Sequence, residues 1–278
     1  MSAARNVRLG VAGAVAGRAA LAGAAALNER AAGAPWRRMN YARRPVTLLG
    51  GPALAASATL SSALGAPAGT RTAAVVVGAV SGLVGGYDDL AGARPEQARD
   101  KGLAGHLAAL KEGRVSAGAV KVAGIGAAAA VAALLTRRGR GTGALVDGVL
   151  TTGLVAGTAN LVNLLDLRPG RAGKAGALLA ATTLGGPAGG LVAGPLGATL
   201  AVLPEDLGER VMLGDCGANA LGSLLGLRLA SIPARGPRAA LLAGIVGLTL
   251  ASEKVSFTTV IEATPGLREL DRLGRRPS

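Results

Sequence analysis

Residues 70–92, TRTAAVVVGAVSGLVGGYDDLAG, decide the fold of this chain. After Arg71 the segment carries no charge until Asp88 and Asp89, so residues 72–87 are predicted to form a membrane-spanning helix. Adjacent carboxylates repel each other, and close to hydrocarbon their charges are costlier still. The acidic pair at the end of this apolar run therefore indicates a task that involves a cation or a proton.

The composition of the chain also favours a membrane protein. Half of the 278 residues are apolar and 45 are glycine, yet the chain has only one Trp, two Tyr and one Phe. Soluble cores normally use aromatic side chains as large fillers, whereas Gly- and Ala-rich helices suit close packing in a bilayer. The net charge of +14 fits either nucleic-acid binding or basic cytoplasmic loops. Nucleic-acid binding is disfavoured, because the basic residues are dispersed and almost no aromatic side chains could stack on bases.

Nine apolar runs predict an all-α, polytopic membrane bundle, with residues 1–278 as a single transmembrane domain. The predicted spans are 7–27, 46–66, 72–87, 115–135, 143–165, 175–186, 188–203, 216–230 and 237–252. A cytoplasmic or interfacial tail is expected over residues 254–278. Lys121 and Arg228 lie close enough to the ends of their spans for their charges to reach the membrane surface.

Lysine and arginine residues are distributed unevenly between the two predicted sides of this bundle. The loops 28–45, 88–114, 166–174, 204–215 and 253–278 hold 19 of them, whereas the other loops and the N-terminus hold 8, a count that includes Arg8 and Arg238 at the starts of their spans. Cytoplasmic loops of membrane proteins carry the excess of basic residues. We therefore expect an outside N-terminus, a cytoplasmic C-terminus and a location in the cell membrane.

Four polar clusters interrupt the apolar pattern, and with this orientation all of them face the cytoplasm. They are Asp88-Asp89, residues 160–174 (NLVNLLDLRPGRAGK), residues 204–222 (PEDLGERVMLGDCGANALG) and residues 252–276 (SEKVSFTTVIEATPGLRELDRLGRR). The predicted orientation is derived from lysine and arginine residues alone and not from the carboxylates of these clusters. The placement of all four clusters on one side is therefore partly independent support for one shared site.

Carboxylates and amides of these clusters predict a magnesium site. Asn160, Asn163 and Asp166 recur every three residues and form one slanting strip on a helix. Asp215 lies in a Gly-rich segment, where backbone can approach a ligand closely. Oxygen ligands that converge from separate helices suit Mg²⁺ better than Zn²⁺.

Basic side chains beside the strip predict phosphate binding. Arg168, Arg171 and Lys174 follow it immediately, and such groups suit phosphate oxygens. The pattern indicates Mg²⁺-assisted phosphoryl transfer at a membrane surface. Each feature also has a structural interpretation, as a solvated helix end, an interhelical hydrogen bond, a helix cap or a topology signal. His106, the only histidine, is either a substrate-binding residue or an ordinary loop residue.

Three motifs resemble, in this order, the polyprenyl-phosphate N-acetylhexosamine-1-phosphate transferase family (glycosyltransferase family 4). They are GGYDDLAG (85–92), NLVNLLD (160–166) and LGDCGANALG (213–222), each after an apolar span, and the likeness extends over most of the chain. The family includes phospho-N-acetylmuramoyl-pentapeptide transferase. The resemblance implies a multi-pass membrane enzyme with a cytoplasmic active site that uses Mg²⁺, a UDP-sugar and polyprenyl phosphate within the lipid bilayer, and it allows a homodimer.

The resemblance implies a role for each residue that matches a family motif. Asp88 and Asp89 match the acidic pair that handles the lipid phosphate acceptor. Asn163 and Asp166 match the Asn-x-x-Asp of the nucleotide and catalytic centre, and Asp215 matches the aspartate that binds Mg²⁺.

The segment 40–51, NYARRPVTLLGG, loosely resembles the first cytoplasmic loop of the family, which implies that Arg43, Arg44 and Thr47 contact the lipid phosphate. Two features depart from the family pattern. Pro169 stands where the family usually has a second aspartate, and the His-rich last cytoplasmic loop has no counterpart in this sequence.

The leading functional hypothesis is transfer of a sugar-1-phosphate from a UDP-sugar to polyprenyl phosphate with release of UMP, in the synthesis of cell-envelope polysaccharide or peptidoglycan precursors. The two departures motivate an alternative, a catalytically silent relative that binds lipid-linked envelope intermediates or partner proteins. A third interpretation is a transporter that uses the strip of Asn and Asp side chains.

Overall fold

The protein is a bundle of helices. The structure, a computed structural model, describes residues 3–91, 116–137 and 139–276. Its helices are α1 (Ala3–Asn28), α2 (Gly50–Gly65), α3 (Arg71–Ala91), α4 (Ala117–Leu135), α5 (Thr142–Leu165), α6 (Arg171–Thr182), α7 (Gly190–Leu207), α8 (Gly214–Ala230), α9 (Arg235–Ser252), α10 (Phe257–Ala263) and α11 (Leu267–Arg272). The prediction of an all-α fold is confirmed, since the described ranges otherwise contain only a 3-10 helix and a two-stranded sheet.

The long helices α1 to α9 overlap the nine predicted spans one by one. Four of them, α1, α3, α4 and α5, are long and apolar enough to cross a membrane. A fifth span results if α9 and α10, which are bent by 96° at the break between them, are counted together. Several apolar helices are thus compatible with a membrane protein, whereas the number of nine spans and their orientation stay predictions.

Helix α8 occupies the centre of the bundle, and 13 of its 17 residues are buried. It packs against α2, α3, α5, α6 and α7. Glycines allow this packing: a Cβ at Gly222 would lie 2.6 Å from the Ala159 Cα, and one at Gly226 would lie 2.5 Å from the Leu154 carbonyl oxygen. The high glycine content of the sequence is therefore used for close helix contacts, as expected for small residues in a membrane bundle.

The polar helix ends named in the sequence analysis lie at one end of the bundle. The C-terminal turn of α3 contacts the N-terminal turns of α4 and α8, and the segment before α6 contacts the end of α7. The opposite end is formed by the α2–α3, α6–α7 and α8–α9 turns together with the end of α4 and the start of α5. Helix α8 runs from one end of the bundle to the other, so the two ends are separated by its length, about 24 Å.

A short sheet extends the acidic end. After the 3-10 helix Ala31–Trp36, strands β1 (Arg37–Met39) and β2 (Pro45–Thr47) pair antiparallel, with Arg37 opposite Thr47. Thr47 also forms a bridge with Val211, in the segment before α8. The sheet therefore holds the 37–47 segment against the start of the central helix.

We predict that Gly226→Ala destabilises the protein by about 1–3 kcal/mol, because the new methyl group would overlap the backbone of α5. The unfolding midpoint in detergent would measure the loss. Gly244→Ala in α9 is the matched control, since nothing lies within 4 Å of a Cβ there. Equal midpoints for the two variants would contradict close packing at α8.

Candidate functional site

Asp89 links α3 to the start of α8. Its two carboxylate oxygens accept hydrogen bonds from the backbone N–H groups of Asp215 and Cys216, both at 2.9 Å. A carboxylate at a helix N-terminus satisfies unpaired amides and favours the helix dipole. Gly214 has a φ of +57°, and a Cβ there would lie 2.8 Å from both oxygens of Asp89. The Gly-Asp sequence of the LGDCG motif thus permits this cap.

Lys121 supplies the positive charge between the remaining two carboxylates. Its Nζ lies 2.6 Å from an oxygen of Asp88 and also contacts the carboxylate of Asp215. All three side chains are mostly buried, with exposures of 16% for Lys121 and Asp88 and 25% for Asp215. The ammonium group of Lys121 points into the acidic cluster at this end of the bundle, and the expectation that its charge reaches the membrane surface stays a prediction.

Asp166 ends α5 at the same cluster. Burial raises the pKa of Asp166 well above its usual range, and the negative charges of Asp206, Asp215 and Asp89 raise it further. Asp206 itself is only 2% exposed, and its carboxylate accepts a hydrogen bond from the Gly170 backbone N–H at 3.1 Å. The cluster therefore holds more carboxyl groups than Lys121 can neutralise, which is an environment that retains protons or attracts a further cation.

The structure brings together Asp88, Asp89, Asp166 and Asp215, which are the predicted catalytic and metal-binding residues. Asn163 lies one turn before Asp166 on α5, and its carbonyl oxygen accepts a hydrogen bond from the Asp166 N–H at 3.0 Å. Within the described ranges, three or more His, Cys, Asp or Glu side chains are nowhere grouped closely enough to hold a metal ion by themselves.

Arg171 and Lys174 hold the C-terminal tail. Arg171 forms a two-pronged ion pair with Asp271, at 2.8 and 3.1 Å, and both side chains are buried. Lys174 donates to the backbone carbonyls of Leu270, Asp271 and Leu273. Their predicted role in phosphate binding stays a prediction, but in this arrangement their donors are directed to the tail.

Arg168 and the 43–47 segment lie on neighbouring parts of the same end. The Arg168 guanidinium stacks 4.4 Å from the centre of the Tyr41 ring. Arg44 forms an ion pair with Glu209 at 3.0 Å, and Arg43 is exposed with a φ of +57°.

Thr47 is buried and bound through its backbone to the 210–212 segment. This position leaves the Thr47 hydroxyl directed within the protein, where it accepts a hydrogen bond from the Leu49 N–H at 3.3 Å. His106 lies outside the described residues.

Sequence reasoning missed two members of the cluster, Lys121 and Asp206. A signal for Lys121 is present in the sequence, because a charge inside an apolar helix indicates a functional partner by default. Asp206 belongs to the PEDLGER segment, where nothing distinguishes it from the neighbouring acidic residues Glu205 and Glu209.

No protein-family model matches this chain, and no curated protein matches it in sequence. The resemblance to the glycosyltransferase family 4 enzymes therefore stays a prediction carried by the motifs.

We predict that Asp89→Asn lowers the unfolding midpoint in detergent more than Asp88→Asn does. The amide of the first variant would keep one acceptor oxygen and turn its NH₂ group toward a backbone N–H, leaving a donor unsatisfied at a cost of about 1–3 kcal/mol. The second variant would lose only one of the two carboxylates that bind Lys121. If Asp88→Asn lowered the midpoint more than Asp89→Asn, the capping of α8 by Asp89 would be contradicted.

We also predict that Arg171→Gln releases the C-terminal tail, because it breaks the buried two-pronged ion pair and leaves Asp271 with Arg275 as its one ion-pair partner among the described residues. Hydrogen exchange of residues 257–276 would measure the release, with exposed Arg272→Gln as the matched control. Unchanged exchange in the Arg171 variant would contradict docking through this pair.

Docking of the tail should also respond to pH. Burial alone would raise the pKa of Asp271, but hydrogen bonding to Arg171 and the charges of Arg171, Arg275 and Lys174 hold it below its usual range. A lowered pKa stabilises docking above the pKa of the unfolded chain, about 3.9, and the contribution is lost as pH falls through the folded value. The protection factors of the tail amides, which compare measured with intrinsic exchange at each pH, should therefore stay high at pH 5 and fall below about pH 4.

Proposed function

We propose that this protein is a membrane phosphotransferase that moves a sugar-1-phosphate from a UDP-sugar to polyprenyl phosphate. In this reaction a phosphate oxygen of the lipid attacks the β-phosphorus of the UDP-sugar, the bond to the α-phosphate oxygen breaks, and UMP leaves. The observation that carries the proposal is the meeting of Asp88, Asp89, Asp166 and Asp215, from three separate helices, at one end of an apolar bundle.

The carboxylates of the cluster fit Mg²⁺ by their chemistry. Mg²⁺ commonly uses one or two carboxylates together with substrate phosphates and water, so a dedicated cage of three acidic side chains is not needed. Asp215 and Asp88 already share one cation, the Lys121 ammonium. We expect these two residues to hold Mg²⁺, which when bound supplies positive charge against the charge that develops on UMP.

The contacts of the protein's own residues suggest a role for each of them in the reaction. Both oxygens of Asp89 hold the backbone of α8, so its role is positioning. Asp166, with its raised pKa, is suited to exchange a proton with an acceptor phosphate. Lys121 can turn from the carboxylates to a phosphate oxygen once another cation neutralises them.

A second candidate is a catalytically silent relative that binds lipid-linked intermediates. Two observations favour it: Lys121 already forms ion pairs with Asp88 and Asp215, and Arg171 and Lys174 are directed to the tail rather than to a ligand. Such a protein would bind a lipid phosphate without releasing UMP.

The test is Mg²⁺-dependent UMP release by the purified protein, with polyprenyl phosphate and a panel of UDP-sugars. We predict that Asp215→Asn lowers turnover by about 100-fold or more, because an electrostatic group at the reacting phosphates is lost. Glu262→Gln, which removes an exposed carboxylate in α10, should leave turnover unchanged. Absence of UMP release with saturable lipid-phosphate binding would favour the silent relative, and full activity of the Asp215 variant would exclude the proposed site.

A further inference from the structure

A second polar site lies at the end of the bundle opposite the acidic cluster. A cavity of about 600 Å³ opens there between the ends of α4 and α8, the starts of α5 and α9, and the α2–α3 and α6–α7 turns. This volume is in the range of small-ligand sites, about 300–1,000 Å³. The carboxylates of the acidic cluster are about 24 Å away along α8, so the cavity is separate from the proposed phosphotransferase site.

The charges that line this cavity are mainly positive. Arg137, Arg228 and Arg238 contribute three guanidinium groups, and Asp147 contributes one carboxylate. Asp147 is already shared, because Arg235 binds both of its oxygens at 2.9 Å and Arg238 contacts one of them. In the part of the chain that the structure describes, neither Arg137 nor Arg228 forms an ion pair with a carboxylate. The cavity therefore has an excess of positive charge.

Arg238 is the most deeply buried of the three arginines that line the cavity. Only 7% of this residue is exposed, and its Nε has no hydrogen-bond partner among the described residues. The Nε atom is itself shielded from solvent, so it faces protein and not the open cavity. Arg238 therefore contributes its positive charge to the cavity and not this donor.

The wall of the cavity also has apolar parts. Leu135, Leu227 and Ile232 line it together with prolines and alanines. Arg228 is held in place by its own hydrogen bonds to the carbonyl oxygens of Thr183 and Gly185, both at 2.8 Å. A pre-positioned guanidinium beside apolar wall suits an anionic group attached to a carbon skeleton.

We infer that this cavity binds an anionic phosphate group, such as a phosphate monoester or a diphosphate. Arg235 already pairs with the one lining carboxylate, so the three lining guanidinium groups supply more positive charge than the about 1.5 to 2 negative charges of a phosphate monoester at neutral pH. Guanidinium groups also match phosphate oxygens in geometry. The group can come from a lipid that enters from the surrounding bilayer or from a soluble phosphate compound.

The inference is independent of the proposed transferase activity, so its test uses binding and not turnover. Binding of inorganic pyrophosphate to the protein in detergent would be measured by calorimetry. Binding of phosphatidic acid would be measured in nanodiscs that contain phosphatidylcholine with or without it. Binding of pyrophosphate, with or without phosphatidic acid, indicates a soluble source of phosphate, and binding of phosphatidic acid alone indicates a lipid source. Binding of neither probe by the parent protein would overturn the inference.

Substitutions at the more exposed arginines of the cavity test the inference and leave the buried Arg238 in place. Arg228→Gln and Arg137→Gln remove partly exposed or exposed charges of the cavity, and each should weaken binding of the probe about tenfold, as loss of one charge-assisted hydrogen bond predicts. Arg8→Gln, which removes an exposed charge on α1 outside the cavity, is the control and should bind like the parent protein. Parent-like affinity in both the Arg228 and Arg137 variants would overturn the inference.

Discussion

The two hydrogen bonds from the first amides of α8 to Asp89 are the interaction on which the acidic end depends. Because α8 fills the centre of the bundle, the point where it begins fixes the position of Asp215. The neighbour of Asp89 in sequence, Asp88, is thereby placed where Lys121 reaches both acids. A close approach at Gly85, where a Cβ would lie 2.3 Å from the Asp215 carbonyl oxygen, lets α3 and α8 meet at this distance. One helix cap thus assembles four charged groups.

Much of the fold follows from the sequence, because an apolar run can satisfy its backbone in hydrocarbon only as a helix or a closed barrel. Each of the nine runs corresponds to a helix, and the alternation of chain direction alone predicts that the ends with Asp88, Asp166 and Asp215 lie together. The predicted span at 175–186 is displaced, since α6 begins at Arg171. The apolar pattern does not predict a charged residue at a buried helix start, but Arg171 is neutralised by Asp271 and becomes buried.

The partners of the charged residues could not be predicted in the same way. The local sequence around Arg171 does not indicate its partner, because Asp271 lies 100 residues further along the chain. A guanidinium group fits a carboxylate and a phosphate equally well, so the residue type does not distinguish a structural anchor from a substrate contact. The partners of Lys121 could not be predicted for a related reason: its position near a helix end suggests a path to water, whereas the two carboxylates that attract it come from other helices.

The position of Trp36 has a practical consequence, because it is the only tryptophan in the chain. It ends the 3-10 helix before the small sheet, and a Cβ at Gly86, two residues before Asp88, would lie 3.7 Å from its ring. Intrinsic fluorescence excited at the red edge of indole absorption therefore comes from one known place, next to the C-terminal turn of α3. The protein carries a built-in optical reporter of its acidic end, which needs no label and gives no background from the opposite end.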